Sequence, residues 1–369
     1  MAASPHALRH FIGLMSGTSL DGVDGVIVRF GAQGCRAIEH AFLPFPEALR
    51  DELLALNTSG NYEVERSHLA GNALADIYAA CVENLVNQSG IDRRDIAAIG
   101  CHGQTIRHRP DQGYTVQIGN AAQLAELANI TVVADFRSRD IAAGGQGAPL
   151  VPAFHNAVFR HPTIHRAIVN IGGISNISNL GPGGVVAGFD CGPGNLLMDG
   201  WAQRHLGIAY DKDGAWAAGG NFIPALLESL LTHPFFRLPP PKSTGRDEFH
   251  LEWLARHDPD AHSVEDVQAT LLELTARSIT DAINRHCPGA KEIYLCGGGA
   301  YNAQLRQRLS ELLHPRLLLL TDDLDIPANL VEAAAFAWLA SRTLDRQAGN
   351  LPAVTGARGA RILGAIYLA

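Results

Sequence analysis

The strongest constraint on this chain is an opening pattern that it uses twice. Near residue 11 an apolar run at 11–15 meets the turn SGTSLDG at 16–22, and further apolar runs follow at 23–30 and 36–42. Near residue 167 the succession returns, with an apolar run at 167–171, a Gly-Gly turn, and runs at 174–180 and 185–189. Three β-type runs joined by short turns predict an antiparallel meander. A meander that recurs half a chain later predicts a duplicated domain, its two copies facing each other across a cleft. At 369 residues the chain is long for one core and suited to two.

Elsewhere strand-type and helix-type periods alternate, which predicts an α/β fold. In the first half, helices are predicted over 47–56, 64–87 and 120–128, and strands over 96–101 and 130–134. Leu74, Ile77, Cys81 and Leu85 form the apolar stripe of the long helix. In the second half, helices are predicted over 195–205, 222–231, 264–285, 302–313 and 328–343, with strands over 292–296 and 317–321. The stretch LPPPKSTG at 238–245 reads as a loop. The expected units are residues 1–150, joined by 328–369, and residues 151–327.

A formal net charge of −8, with lysine only at 212, 242 and 291, leaves no basic tract and excludes nucleic acid as the main partner. The six cysteines form no CxxC pair and no zinc spacing, so buried, reduced thiols are expected. His155, His161 and His165 lack metal-ligand spacing and read as surface residues. No apolar run is long enough to span a bilayer, so no membrane partner is expected. The N-terminus has no basic stretch followed by an apolar one, which leaves the cytoplasm as the expected compartment.

Three glycine turns directly follow apolar runs: Gly17 in MSGTSLDG, Gly172-Gly173 in NIGGISN, and Gly297, Gly298 and Gly299 in LCGGGAYN. Glycine leaves backbone N–H groups open to an anion, and successive N–H groups form phosphate-sized concavities. One such turn is an ordinary hairpin; three at the same place relative to a strand predict nucleotide binding. The lysine-bearing P-loop, the GxGxxG dinucleotide turn and the protein-kinase HRD and DFG motifs are all absent. Ser16, Thr18 and Ser19 add hydroxyl donors. Asp21 and Asp24 beside phosphates call for an intervening Mg²⁺, or are ordinary turn aspartates.

Asp190 ends the run at 185–189 ahead of a glycine turn and a helix, where Asn195 is expected to serve as the cap. A carboxylate placed there can act as a general base on water or a hydroxyl. His102 and Gln104 follow the run at 96–101, and DFRSRDIAAGGQG brings Arg137, Arg139, Gly144 and Gly145 after another strand. Either arginine can fork onto a ligand carboxylate. Glu332, a lone charge among small apolar residues of the last helix, is a candidate ligand contact.

These segments resemble the superfamily of actin, hexokinase and the heat-shock chaperone ATPases and, within it, the anhydro-N-acetylmuramic acid kinases. The resemblance rests on GLMSGTSLDGVDG (13–25), GCHGQT (100–105), VADFRSRDIAAGGQGAPLVPAFH (133–155), NIGGISN (170–176), GFDCGPGN (188–195), PPKSTGRDEF (240–249) and LCGGGAYN (295–302). It implies two actin-like, RNase H-like lobes, each a mixed sheet flanked by helices, with ATP and an amino sugar meeting in the cleft. It also implies the reaction, in which 1,6-anhydro-N-acetylmuramic acid, ATP and water give N-acetylmuramic acid 6-phosphate and ADP in the recycling of cell-wall sugar. Asp190 would be the base that deprotonates water, and Gly17, Thr18, Ser19, Leu20, Asp21, Gly22, Val23 and Asp24 would hold ATP. His102, Gln104, Arg137, Gly144, Gly145 and Glu332 would line the sugar, and the chain would be a homodimer. One departure is Cys191, where such sequences often have threonine. A sugar kinase acting on a free hydroxyl, or an ATP-binding regulator without sugar chemistry, is the alternative on this fold.

Overall fold

The computed structural model describes residues 9–17, 19–31 and 34–369, so Thr18 lies outside the described residues. The chain divides into two compact units, one made of the stretch up to Phe154 with Leu330–Ala369, the other of His155–Asn329.

In the first unit β1 (Arg9–Met15), β2 (Gly22–Gly31) and β3 (Gly34–Pro44) form the antiparallel meander. The next strand, β4 (Ile96–Cys101), adds parallel to β1. A separate hairpin, β5 (Gln104–Arg109) with β6 (Tyr114–Ile118), then intervenes before β7 (Val132–Ala134) adds parallel to β4. That hairpin was not expected, because its strands are short and Ile106 is the one apolar residue of the first. In the second unit β8 (Arg166–Ile171), β9 (Ile174–Leu180) and β10 (Ala187–Pro193) repeat the meander. They are joined by β11 (Glu292–Cys296), parallel to β8, and β12 (Leu317–Leu320), parallel to β11. Finally β13 (Ala365–Tyr367) returns to the first unit, antiparallel to β7. The orders β3-β2-β1-β4-β7 and β10-β9-β8-β11-β12 are the same arrangement with the same strand senses, so the echo in the sequence is an echo of topology.

Both faces of the first sheet are covered, which is why β1 is apolar throughout its middle rather than alternating. Helix Glu63–Ser89 lies on one face, burying Leu74, Tyr78, Cys81 and Leu85. Ile77, expected on that stripe, packs at its margin. Helix Val331–Leu344 covers the other face and approaches so closely that two strand positions tolerate no side chain. A Cβ on Gly13 would lie 1.8 Å from the Ala333 carbonyl oxygen, and one on Gly100 would lie 2.0 Å from that of Phe336. The alanines at 333, 334, 335, 337 and 340 are the helix's half of that fit.

In the second unit helix Val264–His286 is buried on most of its circumference, including Gln268, Thr270, Glu273 and Thr275. Its N-terminus is capped by Ser263, which accepts from the Asp266 N–H. Buried Glu273 is bonded by Arg277 at 2.7 Å and by Arg308 at 2.6 Å, which hold its carboxyl below the usual range against the opposing effect of burial.

Several boundaries differ from expectation. Strand β10 runs on to Pro193 through a bulge between Asp190 and Gly192, so Asp190 lies within the strand instead of ending it. The last helix starts at Val331, and 328–330 form a separate 3₁₀ turn tied down by Gly297 N–H donating to the Ala328 carbonyl at 2.8 Å. Asn195 precedes helix Leu196–Leu206 without capping it, its side chain donating back to Ile171 O at 3.4 Å. His155 is buried, with Nδ1 2.9 Å from Ser178 Oγ, and is no surface residue. All six cysteines are free and buried. Among the described residues no helix is long and apolar enough to cross a membrane.

Replacing Gly13 by valine forces backbone apart from backbone where neither can move alone. The expected loss is about 3 kcal/mol or more of stability, read as a lower urea midpoint at unchanged slope.

Candidate active site

The turn between β1 and β2 is built from the inside outward. Ser16 is buried, its hydroxyl 2.8 Å from Tyr78 OH and donating to Gly103 O at 3.0 Å. Leu20 is buried at a φ of 58°, a left-handed conformation that a branched side chain rarely adopts. Gly17 faces open space, its nearest neighbour for a Cβ being Ser19 Oγ at 3.8 Å. Ser19 Oγ donates to Asp21 Oδ1 at 2.6 Å. Gly22 and Val23 are buried in β2 and offer a ligand no side chain.

Asp24, one register step inside the sheet, pairs with Met15. Burial pushes its carboxyl up to about 7, and the charges of Asp21 and Glu332 add to the rise. A divalent cation would relieve that repulsion. Mg²⁺ needs only one or two carboxylates when phosphates complete its shell, so Asp21 and Asp24 fit it as a pair. Among the described residues no group of three His, Cys, Asp or Glu forms a metal cage.

The structure joins His102, Gln104 and Arg137 to the same turn. Gln104 Nε2 donates to Gly17 O at 3.1 Å. His102 Nδ1 lies 3.2 Å from Ser16 O, and Arg137 reaches His102 Nε2 through Nε at 3.2 Å and Nη2 at 2.9 Å. A guanidinium only donates, so Nε2 accepts and the ring proton is on Nδ1. Burial, with the Arg137 charge adding, lowers the His102 pKa to about 3 and keeps the ring neutral. Its face packs on Phe336 at 4.7 Å between centroids. Glu332, on the first turn of helix Val331–Leu344, is raised by burial and partly restored by Arg137.

Gly144 and Gly145 sit where the turn after helix Ser138–Ala142 folds back over Asp140. A Cβ on Gly145 would lie 2.2 Å from Asp140 Oδ2, and one on Gly144, at a φ of 84°, would lie 2.7 Å from Arg358 Nη1. Asp140 itself, which the sequence did not single out, is fully buried. The only signal for it is its place four residues before that glycine pair.

In the second unit three glycine segments converge. The carbonyl of Gly172 accepts from Asn195 N, and that of Gly173 from Gly194 N and Leu196 N, at 2.8, 2.8 and 3.2 Å. Gly297, at a φ of 82°, packs against Asn170 and Ile171, while Gly299 packs against Ile171 and Asn195. Gly298 faces open space. The N-terminus of helix Leu196–Leu206 is thus assembled between two glycine turns, a favourable place for anionic groups.

Asp190 lies on β10, the edge strand of its sheet, where the 238–245 loop runs along it. Asp190 N donates to Lys242 O at 3.1 Å, and Thr244 N donates to Asp190 Oδ2 at 3.0 Å. Burial raises the Asp190 carboxyl to about 6, against the pull of the Thr244 N–H and the Lys242 charge. Lys242 is anchored by Phe235, its Nζ donating to Phe235 O at 3.1 Å and lying 4.3 Å from the ring centroid. The loop, whose role the sequence left open, fixes one carboxylate oxygen, and among the described residues Oδ1 accepts no hydrogen bond. Cys191 is buried and donates to Ser175 O at 3.2 Å, so its thiol does not bond the base beside it.

The comparisons with known proteins bear on which chemistry this geometry serves. The family model described as anhydro-N-acetylmuramic acid kinase matches residues 9–369. The anhydro-N-acetylmuramic acid kinase of Nitrosomonas europaea is 54% identical over 97% of this chain and 99% of its own length. That of Thiobacillus denitrificans is 54% identical over the whole of both chains. Among solved structures, the activator of the 2-hydroxyisocaproyl-CoA dehydratase from Clostridium difficile matches at 13% identity and a TM-score of 0.46, covering 92% of this chain and 96% of that one. A family model that runs from β1 to the last residue, and relatives matched end to end, establish that the chain belongs to the anhydro-N-acetylmuramic acid kinase family.

Proposed function

We propose that this enzyme opens the 1,6-anhydro bond of 1,6-anhydro-N-acetylmuramic acid with water and phosphorylates the freed O6, consuming ATP. The observation that carries the reading is Asp190, a half-buried carboxylate with Oδ2 anchored by Thr244 N–H, Oδ1 unbonded among the described residues, and a pKa of about 6. Such a group is ionised at neutral pH yet basic enough to take a proton in the transition state. On this reading Asp190 takes one proton from water as the water oxygen bonds to C1. The C1–O6 bond breaks, O6 takes the γ-phosphoryl group, and ADP leaves. The products are N-acetylmuramic acid 6-phosphate, ADP and the proton held on Asp190, which is then released to solvent. The reaction belongs to the recycling of peptidoglycan sugar in the cytoplasm, by an enzyme that we take to be a homodimer.

ATP would be taken by the turn at Gly17–Asp24 and by Gly172, Gly173 and Gly297–Gly299, among which the exposed Gly173 and Gly298 offer open backbone that suits phosphate. Asp21 and Asp24 would hold Mg²⁺, which would neutralise phosphate charge. Arg137, bonded to Gly147 O and His102, has N–H donors left for the lactyl carboxylate of the sugar.

Turnover in ¹⁸O-labelled water is expected to place label at the anomeric carbon, detected by mass spectrometry of the sugar phosphate. Equal reaction of free N-acetylmuramic acid, with no such label, would instead indicate a kinase acting on a free hydroxyl. Asp190→Asn keeps the shape and removes the base, so kcat is expected to fall by about 10³-fold or more while the Kd for ATP changes less than about twofold. Turnover close to that of the native enzyme would remove Asp190 from the mechanism.

The pH dependence follows from the sign of the shift. The base works when ionised, so kcat/KM is expected to be flat above an apparent pKa of about 6 and to fall about tenfold per pH unit below it. Replacing Thr244 by proline deletes the N–H that stabilises the carboxylate and should move that limb upward.

A further inference from the structure

The fully buried carboxylate of Asp140 takes no part in the steps above. Its Oδ1 accepts from Asn350 Nδ2 at 2.7 Å and from Thr355 Oγ1 at 2.8 Å, while Oδ2 accepts from Gly147 N at 2.8 Å. The bonds do not stop there. Gly147 O accepts from Arg137 Nη1 at 2.8 Å, Arg137 donates to His102 Nε2, and His102 Nδ1 donates to Ser16 O. Each link has one allowed direction, because a carboxylate only accepts and a guanidinium only donates. The result is an unbroken line of hydrogen bonds from the C-terminal segment to the turn after β1.

We infer that Asp140 is a positioning residue for nucleotide binding: through Gly147, Arg137 and His102 it holds the Ser16 carbonyl, and so sets the shape of the turn that follows. The inference rests on the reading that this turn takes ATP. Attachment of the C-terminal segment does not depend on the carboxylate, since Gln146 N–Thr355 O at 2.8 Å and Arg358 N–Ala143 O at 2.9 Å are backbone bonds that survive its replacement. What does depend on it is Gly147, and with Gly147 the anchor of Arg137. Gly145 makes the room for the carboxylate, because a Cβ there would lie 2.2 Å from Oδ2.

The test is Asp140→Asn in the full-length enzyme. An amide can offer its oxygen to Gly147 N or to Asn350 and Thr355, but one side then faces an N–H with an N–H. The native His102 imidazole is expected to show a protonated Nδ1 and a bare Nε2 in ¹⁵N spectra, and the variant a mixture of tautomers. The KM for ATP is expected to rise about tenfold and the KM for the sugar to rise with it, because Arg137 serves both, while kcat at saturation of both substrates stays within about twofold of native. Adding Asn350→Asp exchanges donor for acceptor across the same contact and should restore both readouts. Thr355→Val, which keeps the Asn350 bond, should shift both in the same direction by less, and serves if Asp140→Asn does not fold. An unchanged His102 signature, with kcat and both KM values worsening alongside loss of folded protein, would overturn the relay. A changed signature with KM for ATP unmoved would overturn the reading of the turn as the nucleotide's.

Discussion

At Gly13 and Gly100 a helix and two strands meet backbone to backbone, and the first unit depends on that contact. With no Cβ between them, helix Val331–Leu344 sinks onto β1 and β4, and its first turn and Phe336 are carried to fixed places. Glu332 comes within electrostatic reach of Asp24 and Arg137. Phe336 becomes the floor on which both His102 and Phe136 pack, at 4.7 and 5.6 Å between ring centroids. The neutral state of His102 and the elevated pKa of Asp24 are both consequences of burial. One steric fit between small residues therefore sets the electrostatics of groups that lie more than 190 positions apart in sequence.

Much of the architecture was legible in the sequence because hydrophobic periodicity and glycine placement are local signals. The two meanders, the long helices and the strand before Gly297 all announce themselves within a dozen residues. The hairpin β5–β6 did not, since Ile106 is the one apolar residue of Gln104–Arg109 and the alternation of Tyr114, Val116 and Ile118 spans only five residues. The end of β10 was missed for a related reason. Gly192 and Pro193 look like turn residues, and only the partner strand shows that a bulge carries pairing past Asp190.

The candidate site was legible as a set of residue types and less so as a set of contacts. Asp190 stood out as a carboxylate beside glycines, but its partners are the backbone of Lys242 and Thr244, and a backbone partner leaves no side-chain signature. His102, Gln104 and Arg137 stood out as polar residues after strands. The structure engages them with carbonyls of the Ser16–Gly17 turn and with one another, a role that pattern alone cannot separate from direct contact with a sugar. Asp140 was invisible for a further reason. Its side-chain donors come from Asn350 and Thr355, more than 200 residues away, where nothing local marks them.

The first unit is discontinuous, and this has a consequence for how the protein is made. Its central helix, its last strand and the side-chain donors to Asp140 all come from Leu330–Ala369, after the whole of the second unit. On the ribosome the amino-terminal meander must therefore wait, with the apolar faces of β1 and β4 lacking their cover, while the later-synthesised unit completes its own sheet first. The unit begun first is the one that can be completed only last. The interval before the final forty residues emerge is when the nascent chain offers chaperones, proteases and aggregation partners their largest target.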